Sequence, residues 1–289
     1  MKASRRSVSH HFTVDVEEYF QVQALAPFVS RDDWDSIPRR VGLGTRVLLD
    51  LLAATRSRGT FFVLSWVAER DPKLVREIAD QGHEVASHGT DHRRVTDLTP
   101  EAFRESVRAS RQILEDVTGQ PVFGYRAPSF SIVRGREWAL DILVEEGYRY
   151  DSSLFPVRRS GYGFVGGGRD PYRLDLTPGP LEEIPPATLA VSSAVIPAGG
   201  GAYFRHLPYR LVAAALSSAA RRGVPGTFYI HPWELDPDQP RLKVPAVTRL
   251  RHYGGVARTP ARIARLLSEF QFQPIAGTLA LDGWKPAPQ

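Results

Sequence analysis

Residues 59–89 read GTFFVLSWVAERDPKLVREIADQGHEVASHG, and this stretch decides the fold. It begins with GTFFVLS, an apolar run that is typical of a buried strand. DPKLVREIADQG follows, and its opening Asp-Pro pair and closing glycine are typical of the two ends of a helix. EVASHG then returns to the strand pattern. The stretch therefore predicts a strand–helix–strand unit whose two strands lie parallel in one sheet.

The same alternation extends in both directions along the chain. Strands are predicted for HFTVDVE at 11–17, for the short extended stretch 124–129, and for 148–153, 226–232 and 272–281. Helices are predicted for 43–57, for 137–148, 208–223 and 259–270, and for the stretch that Thr99 and Pro100 begin and Gly119 ends. Strand–helix alternation through most of the chain predicts an α/β fold with a parallel sheet.

One interruption separates the regular elements. Residues 158–206 contain GYGFVGGG, TPGP, IPP and AGGG, a composition too rich in glycine and proline for a helix, with one strand candidate at EEIPPATLAV. Loop insertions of this length are usually functional or disordered. Because regular elements flank this one, we expect it to cross one face of a single domain that spans residues 1–289.

Composition excludes several classes of protein. The chain has 289 residues, 42% hydrophobic and 24% charged, which is ordinary for a globular protein. It has no cysteine, so any metal must be held by histidine, carboxylate or water. The net charge of +5 is spread along the chain and does not predict nucleic-acid binding. No run approaches the ~18 apolar residues of a membrane helix, and the basic start MKASRRSVSHH lacks an apolar stretch behind it. We therefore expect a cytoplasmic protein without an integral membrane segment.

Polar side chains follow the predicted strands at their carboxyl ends. Because the carboxyl ends of parallel strands meet at one end of the sheet, we expect these side chains to lie together. They are Asp15, Glu17 and Glu18 after the first strand, His88 and His92 after the third, then Arg126, Asp151 and His231.

Two of these histidines have the spacing of metal ligands. His88 and His92 form an H-x3-H pair, whose imidazoles face one way on a tight turn or a helix. A carboxylate from the first strand would complete a set of two histidines and one acid, which leaves open positions for water and substrate. His231 follows an apolar strand, where a half-buried structural histidine is an equally good interpretation. The remaining histidines are interpreted as structural, and Glu234, Asp236 and Asp238 as a solvated loop.

The ordered set TVDVEEYFQV, SHGTDH, YRAPSF, YDSSLFP and TFYIHPWE resembles the five motifs of the polysaccharide deacetylases, the NodB-homology or carbohydrate esterase 4 family. DVEEYFQV and the late RLRHYGGVARTPARIARLLSEFQF resemble the subgroup associated with exosortase and exopolysaccharide loci. The resemblance covers roughly residues 10–275. It implies a distorted (β/α)7-type barrel that removes N-acetyl groups from N-acetylhexosamine units of an exopolysaccharide or its precursor with a divalent metal, most plausibly Zn²⁺.

The resemblance also implies roles by position. Asp15 corresponds to the catalytic base, Arg126 to the arginine that orients it, and His231 to the catalytic acid, while the backbone N–H of Ser129 donates to the oxyanion. His88 and His92 correspond to the metal histidines. Val16 replaces the second acid of the common Asp-Asp pattern, so Glu17 is the expected carboxylate ligand and Glu18 its substitute. The fourth motif is reduced to Asp151-Ser-Ser-Leu154, which leaves Asp151 without an assigned role.

Aromatic residues near the motifs are candidates for the sugar-binding groove, because sugar rings stack on aromatic faces. They are Tyr125, Phe130 and Trp233, with Tyr162, Phe164 and Tyr203 from the insertion. Two other functions stay open at this point. One is hydrolysis of a small non-sugar amide on the same fold, with or without a metal. The other is glycan binding without catalysis, although every acid, base and arginine position of the motifs is filled.

Overall fold

The computed structural model describes residues 8–159, 161–192 and 194–284. The basic start Met1–Ser7 and the tail 285–289 lie outside the described residues. The strands are β1 His10–Val16, β2 Thr60–Val63, β3 Glu84–Ser87, β4 Gly124–Tyr125, β5 Tyr150–Asp151, β6 Tyr172–Leu176, β7 Gly179–Glu183, β8 Thr188–Val191, β9 Ala194–Pro197, β10 Thr227–Ile230 and β11 Phe272–Gln273. The helices are α1 Val41–Ala54, α2 Ser65–Arg70, α3 Pro72–Asp80, α4 Pro100–Thr118, α5 Trp138–Glu145, α6 Gly201–His206, α7 Tyr209–Arg221, α8 Ala246–Tyr253, α9 Thr259–Glu269 and α10 Ile275–Leu279. In this part of the chain, no helix is long and apolar enough to cross a bilayer.

One large sheet organises the fold. Its strand order is β10-β1-β2-β3-β4-β5-β7-β6, and β11 pairs with β1. All of these pairings are parallel except the β6–β7 hairpin. β1, β2, β3 and β10 are buried along their whole length, which explains the apolar runs of β2 and β10. The predicted α/β class is confirmed.

The expected distorted barrel is not closed by hydrogen bonds between the described strands, and a seam remains between β10 and β6. Within the described strands the hydrogen-bonded ladders follow an open path from β10 to β6. At this seam, isolated β-bridges link Pro186 to Thr227 and Gly200 to Tyr229. A Cβ on Gly200 would lie 1.7 Å from the carbonyl oxygen of Tyr229, and Gly200 has φ +145°, so only glycine permits this approach. The seam lies beside β10, the strand that leads to His231.

The predicted helix ends are confirmed where their caps were explicit in the sequence. Asp71 accepts a hydrogen bond from the N–H of Leu74 at the start of α3. Thr99 accepts a hydrogen bond from the N–H of Ala102 at the start of α4. Gly119 ends α4 in the left-handed conformation, with φ +65°. These caps satisfy backbone groups that the helices leave unpaired, which is why short sequence signals located them.

The insertion is more regular than we expected. Residues 158–206 contain the hairpins β6–β7 and β8–β9 and the short helix α6, so the prediction of a loop is wrong. TPGP at 177–180 marks the β6–β7 turn, and Pro185 and Pro186 divide the strand candidate 182–191 into β7 and β8. Glycine and proline at this density punctuate short strands as well as loops. β7 extends the main sheet beside β5.

The predicted last strand is only partly correct. β11 ends after two residues, at Gln273, and Pro274 precedes α10 instead of continuing the strand. Proline lacks the N–H that a sheet ladder needs but is tolerated at a helix start. The sequence analysis also did not identify α2 and α8.

The contact between α1 and the turn Pro232–Leu235 positions the end of β10. Gly44 of α1 lies so close to this turn that a Cβ there would be 1.9 Å from the carbonyl oxygen of Pro232. The absence of a side chain at Gly44 therefore allows the helix to pack against the residue that follows His231.

Candidate active site

A cavity of about 290 Å³ lies at the carboxyl ends of the parallel strands. Asp15 and Glu17 enter it after β1, His88 and His92 after β3, and His231 after β10. Ser129 and Phe130 line it from the loop after β4. The convergence of polar side chains that the sequence predicts is therefore present for these residues.

Glu17, His88 and His92 form a compact cluster of metal-ligand type. Their candidate ligand atoms all lie within 4.8 Å of one another, and all three side chains are buried. A Glu17 carboxylate oxygen is 2.7 Å from Nε2 of His92 and 3.9 Å from Nε2 of His88. His92 lies in a turn with φ +57°, not in a helix, and this turn brings the two imidazole centroids to 5.5 Å.

The second nitrogen of His88 fixes which atom faces the cluster. Nδ1 of His88 is 2.7 Å from the carbonyl oxygen of Arg126, to which it can only donate. The lone pair of Nε2 is therefore directed toward Glu17. Burial lowers the pKa of His88 to about 4, so the ring is neutral at pH 7. A neutral, oriented imidazole is the form that ligates a metal.

Glu17 is held as a carboxylate. Burial by itself would raise its pKa, but the positive potential of His92 and His231 lowers the pKa to about 2. Nε1 of Trp233 donates to Glu17 at 3.1 Å, which orients the carboxylate from the opposite side. The cluster therefore has a permanent negative charge to offer a cation.

Glu18 points away from this cluster. Its carboxylate accepts hydrogen bonds from the backbone N–H groups of Arg40 and Val41, at 2.8 and 3.0 Å, and so caps the start of α1. The interpretation of Glu18 as a substitute metal ligand is wrong. Adjacent residues on an extended chain point to opposite sides, so Glu17 and Glu18 could not both enter the cavity.

Asp15 and Arg126 form a buried ion pair beside the metal-type cluster. Nη1 of Arg126 donates to Asp15 at 2.7 Å and to the hydroxyl of Thr13 at 2.8 Å. Nε and Nη2 donate to the carbonyl and hydroxyl of Ser152, at 3.2 and 2.8 Å. Thr13 and Ser152 thus hold the guanidinium in place. The guanidinium occupies one oxygen of Asp15, and the other oxygen lies 3.8 Å from Nε2 of His231.

His231 has a buried partner that the sequence analysis missed. Nδ1 of His231 donates to Glu234 at 2.7 Å, and Glu234 is ion-paired in turn with Arg205 of α6. Glu234 is fully buried, so its assignment to a solvated loop is wrong, as is that of Asp236, which is buried and paired with Arg40. A signal in the sequence could have identified this pair. Glu234 is the third residue after His231, which is the spacing of a capping box at a helix start.

Charge on His231 is favoured in this environment. Burial opposes the charge, but Glu17 and the hydrogen bond to Glu234 raise the pKa of His231 to about 9. The imidazolium therefore has Nδ1–H on Glu234 and Nε2–H facing the two acids of the cavity.

Known deacetylases are similar to this chain in sequence. Residues 34–149 match the family described as "Polysaccharide deacetylase". A chitooligosaccharide deacetylase from Sinorhizobium fredii is 30% identical over 190 residues, which cover 57% of this chain and 84% of that protein. The chain belongs to the polysaccharide deacetylase family. Residues 152–280 match a second family, described only as a domain of unknown function (DUF3473).

Other members of the family are matched over shorter stretches. A peptidoglycan deacetylase from Helicobacter pylori is 28% identical over 45% of this chain and 44% of its own length. The chain thus spans less than half the length of the first curated relatives that it matches, at 33% and 44%.

Solved structures share the fold. A candidate polysaccharide deacetylase from Mycobacterium smegmatis superposes with a TM-score of 0.64 at 21% identity, covering 100% of this chain and 96% of that one. An allantoinase superposes with a TM-score of 0.62 at 17% identity, covering 95% and 89%. At these identities the likeness concerns the fold alone.

The aromatic residues of this deacetylase-family site divide into two groups. Phe130, Trp233, Tyr162 and Tyr203 line the cavity. Tyr125 does not, because its ring is buried between Phe103 and Tyr148, so its assignment to substrate binding is wrong. Tyr125 precedes Arg126 on an extended strand and therefore faces the opposite side.

Phe164 and Asp151 also lie away from the cavity. Phe164 is buried beneath the guanidinium of Arg134, 4.0 Å from its ring centroid. Asp151 is fully buried and accepts from the hydroxyl of Ser153 at 2.6 Å, and that hydroxyl accepts from the N–H of Ala127 at 2.8 Å. Asp151 therefore supports the loop that follows Arg126.

Proposed function

We propose that this protein is a metal-dependent hydrolase that removes N-acetyl groups from N-acetylhexosamine units of an exopolysaccharide or its precursor. The observation that carries the proposal is the meeting of three groups in one cavity: the cluster of Glu17, His88 and His92, the buried base Asp15, and the imidazolium of His231. The names of the relatives, which act on chitooligosaccharide and peptidoglycan, support an N-acetylated glycan as the substrate class.

The cluster of Glu17, His88 and His92 would hold the metal. Two imidazoles and one carboxylate fit Zn²⁺, and three protein ligands leave positions for water and substrate. When bound there, a divalent cation supplies Lewis-acid polarisation of the acetyl carbonyl and lowers the pKa of water. The hydrogen bonds to His88 and Glu17 orient these side chains before any ion arrives.

Asp15 is placed to act as the general base. Arg126 occupies one of its oxygens, which leaves the second directed into the cavity, toward His231. A carboxylate that is hydrogen-bonded to a fixed guanidinium keeps its orientation. Asp15 would accept a proton from the water that attacks the acetyl carbon.

His231 is placed to act as the general acid. Glu234 holds the imidazolium by Nδ1, so the proton on Nε2 is available to the leaving amine. Trp233 stacks on the His231 ring, with centroids 5.2 Å apart, and restricts its rotation. The acid therefore has one orientation, which is what proton transfer requires.

Ser129 is placed to stabilise negative charge on the acetyl oxygen. Its backbone is left-handed, with φ +56°, and Phe130 follows with φ +51°. Consecutive residues in this strained conformation turn the backbone of the loop toward the cavity that both residues line. We assign oxyanion donation to the N–H of Ser129 on this basis.

The two family-matched segments are proposed to work as one domain. β2, β3 and β4 of the first segment and β7 and β10 of the second belong to the same sheet. His231 and Glu234 lie in the second segment, while His88 and Arg126 lie in the first. Neither segment alone contains the complete set of proposed catalytic groups.

Acetate release tests the proposal. Purified protein is stripped with a chelator, supplied again with Zn²⁺, Co²⁺ or Mn²⁺, and incubated with a panel of N-acetylhexosamine oligomers. We expect acetate from at least one oligomer, loss of activity after stripping, and its return with metal. Activity unaffected by the chelator would refute the metal mechanism. Oligomer binding without any acetate release would refute the enzyme and favour a glycan-binding protein.

A further inference from the structure

A second pocket of about 280 Å³ adjoins the proposed active site, and the chemistry proposed above does not use it. We call it the rim pocket. It is lined by Arg159, Tyr162, Ala202, Tyr203 and Arg251, and all of these except Arg159 also line the main cavity. A molecule in the main cavity that extends outward on this side would therefore enter the rim pocket.

The rim pocket is positively charged. No acidic residue lines it, and both of its arginines are exposed. In the part of the chain that the structure describes, neither Arg159 nor Arg251 forms an ion pair with a carboxylate. The other arginines of the cavity wall differ in this respect, since Arg94 is paired with Asp97 and Arg205 with Glu234.

The surrounding sequence does not neutralise this charge. Residues 239–268, which include α8 and its Arg251, contain seven lysines and arginines and no aspartate or glutamate. No acidic side chain of this stretch is therefore present to offset the charge of Arg251. A one-sided excess of this kind favours an anionic ligand.

Aromatic hydroxyls hold one of the two guanidinium groups in place. Nε of Arg159 donates to the hydroxyl of Tyr203 at 3.2 Å, and the hydroxyls of Tyr203 and Tyr162 are 2.5 Å apart. These contacts with the two hydroxyls orient the guanidinium of Arg159, and they leave its positive charge without a carboxylate partner among the described residues. The tyrosine rings add flat surfaces of the type on which sugar rings stack.

We propose that the rim pocket binds an anionic group on the substrate, a sugar carboxylate or a phosphate, outside the N-acetylhexosamine that reacts. The inference rests on the proposed function for the place of the acetylated sugar, but the anion binding itself can be measured without any reaction. It assigns the substrate to acidic glycans or to sugar phosphates, in contrast to neutral N-acetylhexosamine polymers.

Calorimetric titration tests the proposal with the Asp15→Asn chain in the presence of Zn²⁺, so that turnover is too slow to disturb the binding measurement. The probes are the tetrasaccharide of alternating glucuronate and N-acetylglucosamine, UDP-N-acetylglucosamine, and neutral chitotetraose. We expect at least one anionic probe to bind about tenfold more tightly than chitotetraose, as one charge-assisted contact would provide, and the preference to fall with added salt. The tetrasaccharide indicates a carboxylate and the nucleotide sugar a phosphate. KM values of the wild-type chain for the same probes provide a second measurement.

Arg251→Gln and Arg249→Gln form a matched pair for this test. Both arginines are exposed on α8, but Arg249 faces a separate surface beside Arg241. We expect Arg251→Gln to remove the anionic preference and Arg249→Gln to preserve it. Equal losses in the two variants, equal binding of neutral and anionic probes, or no binding of any probe would overturn the proposal. Anionic preference without acetate release would refute the proposed hydrolase and leave the rim pocket intact.

Discussion

The floor and the rim of the cavity are built differently. The floor, formed by Asp15, Glu17, His88, His92 and Arg126, consists of side chains that are at most 4% exposed and that hold one another by hydrogen bonds and ion pairs. The rim pocket consists of half-buried tyrosines and exposed arginines. A buried, mutually oriented set suits chemistry, because proton transfer and metal binding need fixed geometry. An exposed, basic and aromatic set suits recognition of a long and variable substrate.

The difference follows the two family-matched segments in part, because Asp15 and Glu17 of the floor precede both segments. His88 and Arg126 lie in the segment that matches polysaccharide deacetylases, whereas all residues of the rim pocket lie in the segment 152–280 that matches a family of unknown function. The second segment also contributes His231 and Glu234 to the site. We interpret it as the part that completes the shared chemistry and adds the substrate preference of this chain.

Asp15→Asn should have the largest effect, and it separates floor from rim most directly. The amide keeps the shape and a hydrogen bond to Arg126 but cannot accept the water proton, so kcat should fall by about 10²- to 10⁴-fold. Oligosaccharide affinity should change much less than kcat, since Asp15 lines the main cavity but not the rim pocket. Acetate release and calorimetry measure the two quantities. Asp175→Asn, at a side chain that is 88% exposed, is the control. A weakened affinity with kcat unchanged would reverse the two roles.

Glu17→Gln tests whether the floor is a metal site. The substitution removes the negative charge from the cluster, so Zn²⁺ affinity should fall by about 100-fold or more. Competition with a chromophoric chelator measures it. Glu18→Gln is the matched control: it should retain Zn²⁺ but lower the melting temperature, because Glu18 caps α1. Equal Zn²⁺ affinity in both variants would place the metal elsewhere.

The floor could be predicted from the sequence far better than the rim. Asp15, Glu17, His88, His92 and Arg126 all lie at or just beyond the carboxyl ends of strands whose apolar patterns identify them, so topology alone brings them together. Alternation along a strand also accounts for the wrong assignment of Tyr125, which must face away from a cavity that its neighbour Arg126 approaches.

Glu234 shows why the rest could not be predicted. In the string PWELDPDQP its carboxylate has the composition of a solvated turn, and only Arg205, from a helix inside the segment predicted to be a loop, makes its burial possible. Glycine and proline concealed the hairpins and α6 in this segment, so the sequence offered no element to carry Arg205 to the cavity. Tertiary partners of this kind leave no local periodicity.

Glu234→Gln should have the next largest effect on catalysis, and it tests the link between the segments. The amide can accept from His231 but cannot stabilise the imidazolium, so kcat should fall by about 10- to 100-fold with KM unchanged. Loss of the charge partner of Arg205 should also destabilise the fold by about 3 kcal/mol. Kinetics and urea unfolding measure these effects. Asp238→Asn, in the same loop but exposed, is the control. A loss of stability with kcat unchanged would make Glu234 structural only.

Tyr162→Phe should have the smallest effect of the four substitutions, and this effect should be limited to the rim pocket. The change keeps the ring but removes the hydroxyl that lies 2.5 Å from Tyr203, so Arg159 loses part of its support. One such hydrogen bond contributes ~1 kcal/mol, so KM for an anionic oligosaccharide should rise about fivefold while kcat stays constant. Tyr125→Phe removes a hydroxyl outside the cavity and should leave both constants unchanged. If Tyr162→Phe instead lowered kcat and spared KM, Tyr162 would act in the chemistry of the floor, and the division between a catalytic floor and a recognition rim would be wrong at this residue.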